Sequence, residues 1–247
     1  ELGVKGAINL TTFLNLLKKE DKRLRLYESA NVIPSKTISL EVDKAAVLAK
    51  GIIPAGMDSM VVDQMVMRLK AGGLEKKDLM ILDLIATNNW ERPIYFNNTS
   101  LSQLNIDIED YVIQEGNTYR LLPIKNPSSQ QGSRMVNTDI MYDNVMNKFQ
   151  FRELDNPNSY YNEDYRNFVV NHRSTLNTLA ETLLDEGKQE KAREVVLFSL
   201  EKMPDISLKY DFTCVQTADL LFKLGEDEKA MEIVKTMADR SEELINY

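Results

Sequence analysis

The sequence predicts an α+β or α/β domain with a small mixed sheet, followed by an all-α pair of helical hairpins. Apolar and alternating runs bounded by turn residues occur up to about residue 164, whereas only helical periodicity follows. The last third also repeats itself, which indicates a helical array. We therefore expect residues 1–29 to form an amphipathic helix and connector, residues 30–164 an α/β domain, and residues 165–247 two helical hairpins.

The first segment opens with an amphipathic helix over residues 10–19, because its leucines and Phe13 fall largely on one face and Thr11 or Thr12 can cap it. The basic run that follows is interpreted as a solvated connector or as a contact with anionic lipid head groups. Next, alternation over residues 38–43 and an apolar run over residues 47–53 predict two short strands. Residues 60–69 fit a strand or a helix, and a strand is favoured at their C-terminal end.

Asp78 is predicted to cap a helix over residues 79–87, which leads into a strand over residues 93–97. A hairpin is expected around the turn at residues 115–117, because two strand-like runs flank it. The polar stretch at residues 126–133 is expected to be a loop. Residues 139–149 then fit a helix, and a second loop is expected over residues 154–164.

The repeat is the most specific pattern in the chain. Ala180, Leu183, Gly187 and Ala192 recur 38 residues later as Ala218, Leu221, Gly225 and Ala230. This spacing resembles the tetratricopeptide repeat, which is ordinarily about 34 residues long. Small residues allow close helix packing and glycine suits a helix end, so each copy is expected to form one hairpin. The extra residues are expected at positions 205–209, and two copies alone are expected to need support from the preceding chain.

Composition excludes several classes of function. The net charge is −8 without a long Lys/Arg block, which argues against a nucleic-acid partner. A single histidine, His172, and a single cysteine, Cys214, argue against the usual catalytic triads, multi-histidine metal sites and disulfide frameworks. Acidic clusters at residues 107–110 and 153–164 lack the pattern of a calcium loop. We predict no catalytic residue, no metal and no cofactor in this chain.

The most unusual stretch, residues 74–98, contains the only tryptophan and includes the string Asn-Asn-Trp-Glu-Arg-Pro-Ile-Tyr-Phe at residues 88–96. Together with residues 115–124, residues 136–149 and the repeats, it resembles the C-terminal soluble region of a bacterial membrane-protein family. The multi-pass half of that family is similar to protein O-mannosyltransferases, and the family is known mainly as a domain of unknown function or a proposed glycosyltransferase. The resemblance covers nearly the whole chain.

The resemblance implies an extracytoplasmic tail, on the periplasmic side of an inner-membrane glycosyltransferase-like protein, that binds or positions an acceptor protein or glycan. The catalytic site of such enzymes lies in the membrane half, which would be the partner of this tail. No residue here matches a transferase motif, so the chain is expected to be non-catalytic. It begins at Glu1 without a signal peptide and is expected to be a piece of a longer protein. No apolar stretch approaches the roughly 18 residues of a membrane span, so the piece is expected to be soluble by itself.

Two other functions remain open from sequence. The first is a helical-repeat adaptor that recruits another protein through an apolar or Asn-lined groove on the hairpins. The second is a soluble carbohydrate-active enzyme, against which the scarcity of histidine and cysteine counts. Neither alternative requires the membrane half.

The turn between the predicted helix and strand supplies the candidate ligand-binding residues Asn88, Asn89, Trp90, Arg92 and Tyr95. The Trp90 ring can stack on a sugar while Asn and Arg side chains offer hydrogen bonds. In the alternative interpretation, Trp90 is a packing residue, and Arg92 pairs with a local carboxylate such as Asp83 or Glu91.

Overall fold

The computed structural model describes residues 6–27, 30–70, 73–126 and 134–245. The chain divides into two compact units, Glu1–Gln114 with Thr118–Met135 and Glu115–Asn117 with Val136–Tyr247. The predicted fold class is confirmed, because a mixed α/β region with two four-stranded sheets precedes four helices that pack as hairpin pairs.

Strands and helices are numbered separately in chain order. The strands are β1 (Ile8–Asn9), β2 (Arg25–Tyr27), β3 (Ala30–Asn31), β4 (Thr37–Glu41), β5 (Gln64–Leu69), β6 (Ile94–Asn97), β7 (Ile106–Asp107), β8 (Val112–Gln114), β9 (Thr118–Leu121) and β10 (Met135–Val136). The helices are α1 (Leu10–Lys18), α2 (Lys44–Ala49), α3 (Lys76–Thr87), α4 (Asn98–Ser102), α5 (Thr138–Asp143), α6 (Glu163–Asp185), α7 (Gln189–Lys202), α8 (Thr213–Lys223) and α9 (Asp227–Ile245).

The first sheet has the strand order β1-β4-β5-β7. Strands β1 and β4 run parallel, whereas β5 is antiparallel to both β4 and β7. In β5, Met65 and Met67 are fully buried while the residues between and beside them are exposed or half-buried. This alternation confirms the strand that was favoured at the C-terminal end of residues 60–69.

Two local predictions near the N-terminus need correction. The helix at residues 10–19 is confirmed as α1, but Asn9 caps it by accepting a hydrogen bond from the Thr12 N–H at 3.0 Å. The predicted strand at residues 47–53 is wrong, because α2 occupies most of its N-terminal half. Asp43 starts that helix by accepting a hydrogen bond from the Ala46 N–H at 2.9 Å, and the alanines that follow favour helix over strand.

Helix α3 begins two residues before its predicted cap, and Asp78 occupies the third position of a capping box with Glu75. The buried Asp78 carboxylate accepts hydrogen bonds from the Glu75 N–H at 2.8 Å, the Asn105 N–H at 3.1 Å and the Asn105 amide at 2.9 Å. Burial raises the pKa of this carboxyl, but the hydrogen bonds outweigh burial and hold the pKa below its ordinary value. Asp78 therefore ties the start of α3 to the segment before β7.

The second sheet has the strand order β10-β8-β9-β6. The predicted hairpin is confirmed as β8 and β9, and the strand predicted at residues 93–97 is confirmed as β6, which pairs antiparallel with β9. Buried Tyr111 links this region to the first sheet, because its hydroxyl accepts a hydrogen bond from the Val66 N–H at 2.7 Å. Beyond Asn126, the predicted loop at residues 126–133 lies outside the described residues.

In the second unit, α6 packs against α7 and α8 packs against α9. The two turns have the same geometry, since Gly187 and Gly225 both have φ of 75°. The residue after each glycine donates its N–H to a carbonyl five residues back, at 2.8 Å for Leu183 and 2.9 Å for Leu221. These are Schellman ends, in which glycine supplies the left-handed conformation. The helix predicted at residues 139–149 is confirmed as α5 continued by a π-helical turn, Asn144–Lys148.

Arg173 organises the link between the two hairpins, residues 203–212, in which the predicted extra residues lie. This arginine is 2% exposed, and its guanidinium donates to the carbonyls of Met203 and Lys209 at 3.0 Å and of Leu208 at 2.7 Å. It also pairs with the Asp211 carboxylate at 2.6 Å. One side chain thus satisfies backbone groups that the longer link would otherwise leave unpaired.

Candidate functional site

The candidate site is the turn that connects α3 to β6, residues 88–92, which we call the 88–92 turn. Its ends are joined by a hydrogen bond from the Glu91 N–H to the Asn88 carbonyl at 3.0 Å. The two central residues, Asn89 and Trp90, have φ of 46° and 58°. Positive φ at both central positions is the feature of a mirror-image type I turn, which usually requires glycine or asparagine.

The 88–92 turn is strained. Asparagine tolerates the left-handed region, but a bulky residue such as Trp90 is an outlier there. Such conformations cost on the order of 1–3 kcal/mol each and persist where the surroundings impose them. They cluster at binding and active sites, so the strain in this turn is a physical reason to consider it for function.

Two side chains stiffen the 88–92 turn. Asn88 brackets it, because its amide donates to the Arg92 carbonyl at 2.7 Å and accepts from the Arg92 N–H at 3.3 Å. Lys50, at the end of α2, donates from its Nζ to the Asn89 carbonyl. The turn is therefore fixed both internally and from a second element of the same unit.

Trp90 is partly buried and packs against the main apolar core of the first unit. Part of the Trp90 side chain thus has the packing role that the alternative interpretation gives it. The remainder of the residue is accessible to solvent, which is the arrangement that a ring needs if one side is to receive a ligand.

Arg92 is exposed, and of its two expected partners, Asp83 and Glu91, the first is paired with another residue. Asp83 pairs with Lys18 of α1 at 2.8 Å, so the predicted Arg92–Asp83 pair is wrong. Lys18 approaches from α1, which packs against α3. Within the part of the chain that the structure describes, no ion pair involves Arg92, and its charge is available to a ligand.

Tyr95 lies on β6, three residues beyond Arg92, and is 46% exposed. It stands opposite Arg120 of β9 in the sheet register, while the next residue, Phe96, is buried. The structure therefore places four of the predicted residues, Asn88, Asn89, Trp90 and Arg92, in one turn, and it places Tyr95 on the adjoining strand.

Sequence reasoning missed Lys50 beside the 88–92 turn and, separately, a hydrogen-bonded group in the second unit. Lys50 is 39 positions from its partner, and nothing in the local pattern marks it. In the second unit, Asn117 links His172 Nδ1 at 3.2 Å to the Thr175 hydroxyl at 2.7 Å, beside the Phe149 and Phe151 rings. Burial lowers the pKa of His172, so its neutral form is favoured in this packed position.

Other kinds of site are not found among the described residues. No group of three or more His, Cys, Asp or Glu side chains in that part of the chain could hold a metal ion. None of the helices formed by those residues is both long and apolar enough to cross a membrane.

Residues 1–140 match the family model described as TMEM260-associated domain 2, a domain associated with a multi-pass membrane protein family. No curated protein and no solved structure matches the chain. The match spans more than half of the 247 residues and includes the whole 88–92 turn. The chain therefore belongs to the TMEM260-associated domain 2 family.

Proposed function

We propose that this chain is a non-catalytic binding region of a TMEM260-related, glycosyltransferase-like membrane protein, and that its 88–92 turn binds an acceptor glycan. The observation that carries the proposal is the strained, stiffened turn, which presents Asn89, Arg92 and part of Trp90 to solvent. Its family association with a multi-pass membrane protein supports a role beside a membrane half.

The chemistry of the turn suits a sugar. An aromatic ring with one accessible side can stack on the apolar face of a pyranose, and amide and guanidinium groups donate hydrogen bonds to hydroxyls. Because Asn88 and Lys50 fix the backbone before any ligand arrives, little conformational entropy is lost on binding. Tyr95 on the adjoining strand extends the same set of polar and aromatic groups.

The proposed placement is extracytoplasmic, on the periplasmic side of an inner membrane. Its support is the resemblance of residues 74–98 and the following segments to the soluble tail of O-mannosyltransferase-like proteins. The membrane half of the same protein is the proposed partner, and it would carry the transfer chemistry.

Binding to an array of bacterial glycans tests the proposal. We expect wild type to bind a defined set of glycans, Trp90→Phe to retain that binding in part, and Trp90→Ala to lose it while remaining folded. Tyr27→Ala is the matched control, because Tyr27 is an aromatic residue of the same unit that is 72% exposed. If Trp90→Ala unfolds the protein and wild type binds no glycan, Trp90 is a packing residue and the proposal fails.

The second candidate function is a protein-binding adaptor built on the tetratricopeptide-like hairpins. The observation that favours it is an exposed aromatic pair on α6, Tyr165 and Phe168, which are 58% and 63% exposed with ring centroids 6.2 Å apart. A peptide library tests it. Binding that Phe168→Ser abolishes and Trp90→Ala leaves unchanged would favour the adaptor, whereas equal binding by wild type and Phe168→Ser would exclude this surface.

A further inference from the structure

Two cationic side chains meet at the 88–92 turn without a carboxylate partner. Among the described residues, Arg92 forms no ion pair with either of its expected partners, Asp83 and Glu91. Lys50 is exposed as well, and no ion pair in the described part of the chain involves it. The whole chain has a net charge of −8, and Glu91 is the one acidic residue in the turn sequence. The turn therefore has a surplus of positive charge in an acidic protein.

Both cations are anchored to the same few residues. Lys50, at the end of α2, donates one hydrogen bond from its Nζ to the Asn89 carbonyl. An ammonium group has three N–H donors, so two remain for a ligand. Arg92 follows Asn89 by three residues, and the Asn88 side chain fixes the Arg92 backbone through two hydrogen bonds. One ligand group at the turn is therefore within reach of both long side chains.

The backbone of the 88–92 turn adds unused donors. No residue that the structure describes accepts a hydrogen bond from the Asn89 N–H or the Trp90 N–H. Asn88 is right-handed, with φ of −69° and ψ of −24°, whereas Asn89 is left-handed, with φ of 46°. A right-handed residue followed by a left-handed one turns successive N–H groups towards one side, and such a nest binds anions. The turn thus offers backbone dipoles as well as charges to an anionic group.

Neutral and acidic sugars would use these donors differently. A sugar hydroxyl can accept a hydrogen bond from an ammonium or a guanidinium group, but it leaves both charges uncompensated. A carboxylate or phosphate accepts charge-assisted hydrogen bonds, which are about twice as strong, and its two oxygens match the guanidinium fork. The donors at the turn therefore favour a sugar with an anionic substituent over its neutral counterpart.

We propose that the glycan bound at the 88–92 turn is acidic, and that Lys50 and Arg92 determine this specificity by binding its carboxylate or phosphate group. The inference rests on the proposed function, because it names the class of glycan that the same turn selects. The anionic group accepts hydrogen bonds from both cations while the sugar ring stacks on Trp90. Lys50 thus acts on the ligand directly, in addition to fixing the turn.

The probe is a glycan array in which each acidic member has a neutral counterpart of the same linkage. The acidic members end either in a uronic acid or in a phosphorylated hexose, so the array distinguishes a carboxylate from a phosphate as the group that is bound. Wild type is titrated over the array as the full chain. We expect it to bind acidic members of at least one kind about tenfold more tightly than their neutral counterparts.

Three double variants test the two cations. Lys50→Gln/Arg92→Gln should bind the acidic members about tenfold more weakly than wild type does, and the neutral members equally well. Lys50→Arg/Arg92→Lys keeps both charges and should keep the preference. The matched control, Lys36→Gln/Arg68→Gln, removes the same charges from exposed residues at the start of β4, whereas α2 follows the end of β4. The control should keep the preference too, and circular dichroism checks that every variant is folded.

The outcomes separate this specificity from glycan binding itself. Equal binding of acidic and neutral members by wild type would leave the proposed function standing and overturn the specificity. A preference that survives in Lys50→Gln/Arg92→Gln, or that the Lys36→Gln/Arg68→Gln control loses to the same extent, would assign it to other charges and also overturn it. If wild type binds no member of either kind, the proposed function fails and the specificity fails with it.

Discussion

Replacing Arg173 with methionine tests whether one buried cation holds the link between the hairpins. Methionine retains most of the aliphatic volume but removes every hydrogen bond of the guanidinium. The change leaves the carbonyls of Met203, Leu208 and Lys209 and the Asp211 carboxylate without that partner. We therefore expect Arg173→Met to destabilise the helical unit while its fold class is kept.

The magnitude follows from which groups water can reach. Lys209 is exposed and the Asp211 side chain is 23% exposed, so solvent compensates those two partners in part. Met203 and Leu208 are 0% and 5% exposed, and an unpaired carbonyl in such surroundings costs about 1–3 kcal/mol. Together with the loss of the partly exposed Arg173–Asp211 pair, the two unpaired carbonyls should lower the free energy of unfolding by about 3–5 kcal/mol.

The assay is urea denaturation followed by circular dichroism at a helix-sensitive wavelength. Arg193→Met is the matched control, because the Arg193 side chain is 34% exposed and makes one carbonyl hydrogen bond, to Leu224 at 2.9 Å. The control should lose only about 1 kcal/mol. A loss for Arg173→Met no larger than that of the control would refute the reasoning, since the link would then not depend on the buried guanidinium.

Three other outcomes follow from the structure. Asn89→Val should destabilise the first unit by about 1–3 kcal/mol because a β-branched residue resists positive φ, whereas Asn89→Gly should not. Unfolding is followed by the fluorescence of Trp90, and equal losses of stability in the two variants would contradict the turn geometry. Asp78 has a lowered pKa, so its contribution to the free energy of unfolding is present at neutral pH and is lost as pH falls through that pKa. Asp78→Asn should therefore be less stable at pH 7, and its stability should fall less steeply than that of wild type as the solution is acidified. An equally steep fall in the variant would count against this. The pKa of His172 is lowered from 6.5, so the imidazole resonances of this single histidine should titrate below pH 6.5, and the free energy of unfolding should decline as pH falls below 6.5. His172→Gln should remove this decline in stability. Resonances that titrate above pH 6.5 would show that the ring is not buried.

Local patterns in the sequence predict much of the fold. Alternation in β5, the hairpin of β8 and β9, and the glycine-ended helical copies are all encoded within a few residues of where they act. The 38-residue repeat extends this to packing, because Ala180 and Ala218 are both buried at equivalent places. The sequence predicts a strand in place of α2 because its apolar run resembles one, while the deciding cap, Asp43, lies outside that run.

The sequence predicts where the candidate site lies, but it does not predict the backbone conformation of the turn or the contacts that hold it. The string around Trp90 marks the turn between α3 and β6, yet neither central position holds glycine, the residue that adopts a positive φ without steric cost and would have indicated this turn type. The contacts that fix the turn and its neighbours join distant residues, such as Lys50 to Asn89 and Lys18 to Asp83. One sequence holds no signal for such distant pairs, and the same is true of the contacts that Arg173 makes with residues 203–211.

The most direct test of the central claim uses Trp90 itself, because it is the only tryptophan in the chain and lies in the proposed site. Wild type is titrated with the glycans that it retains on an array, and the emission of Trp90 is recorded. We predict a saturable change in emission, with binding at least tenfold weaker for Arg92→Ala. Glycan binding that leaves the emission of Trp90 unchanged and is indifferent to Arg92→Ala would place the ligand elsewhere and contradict the account.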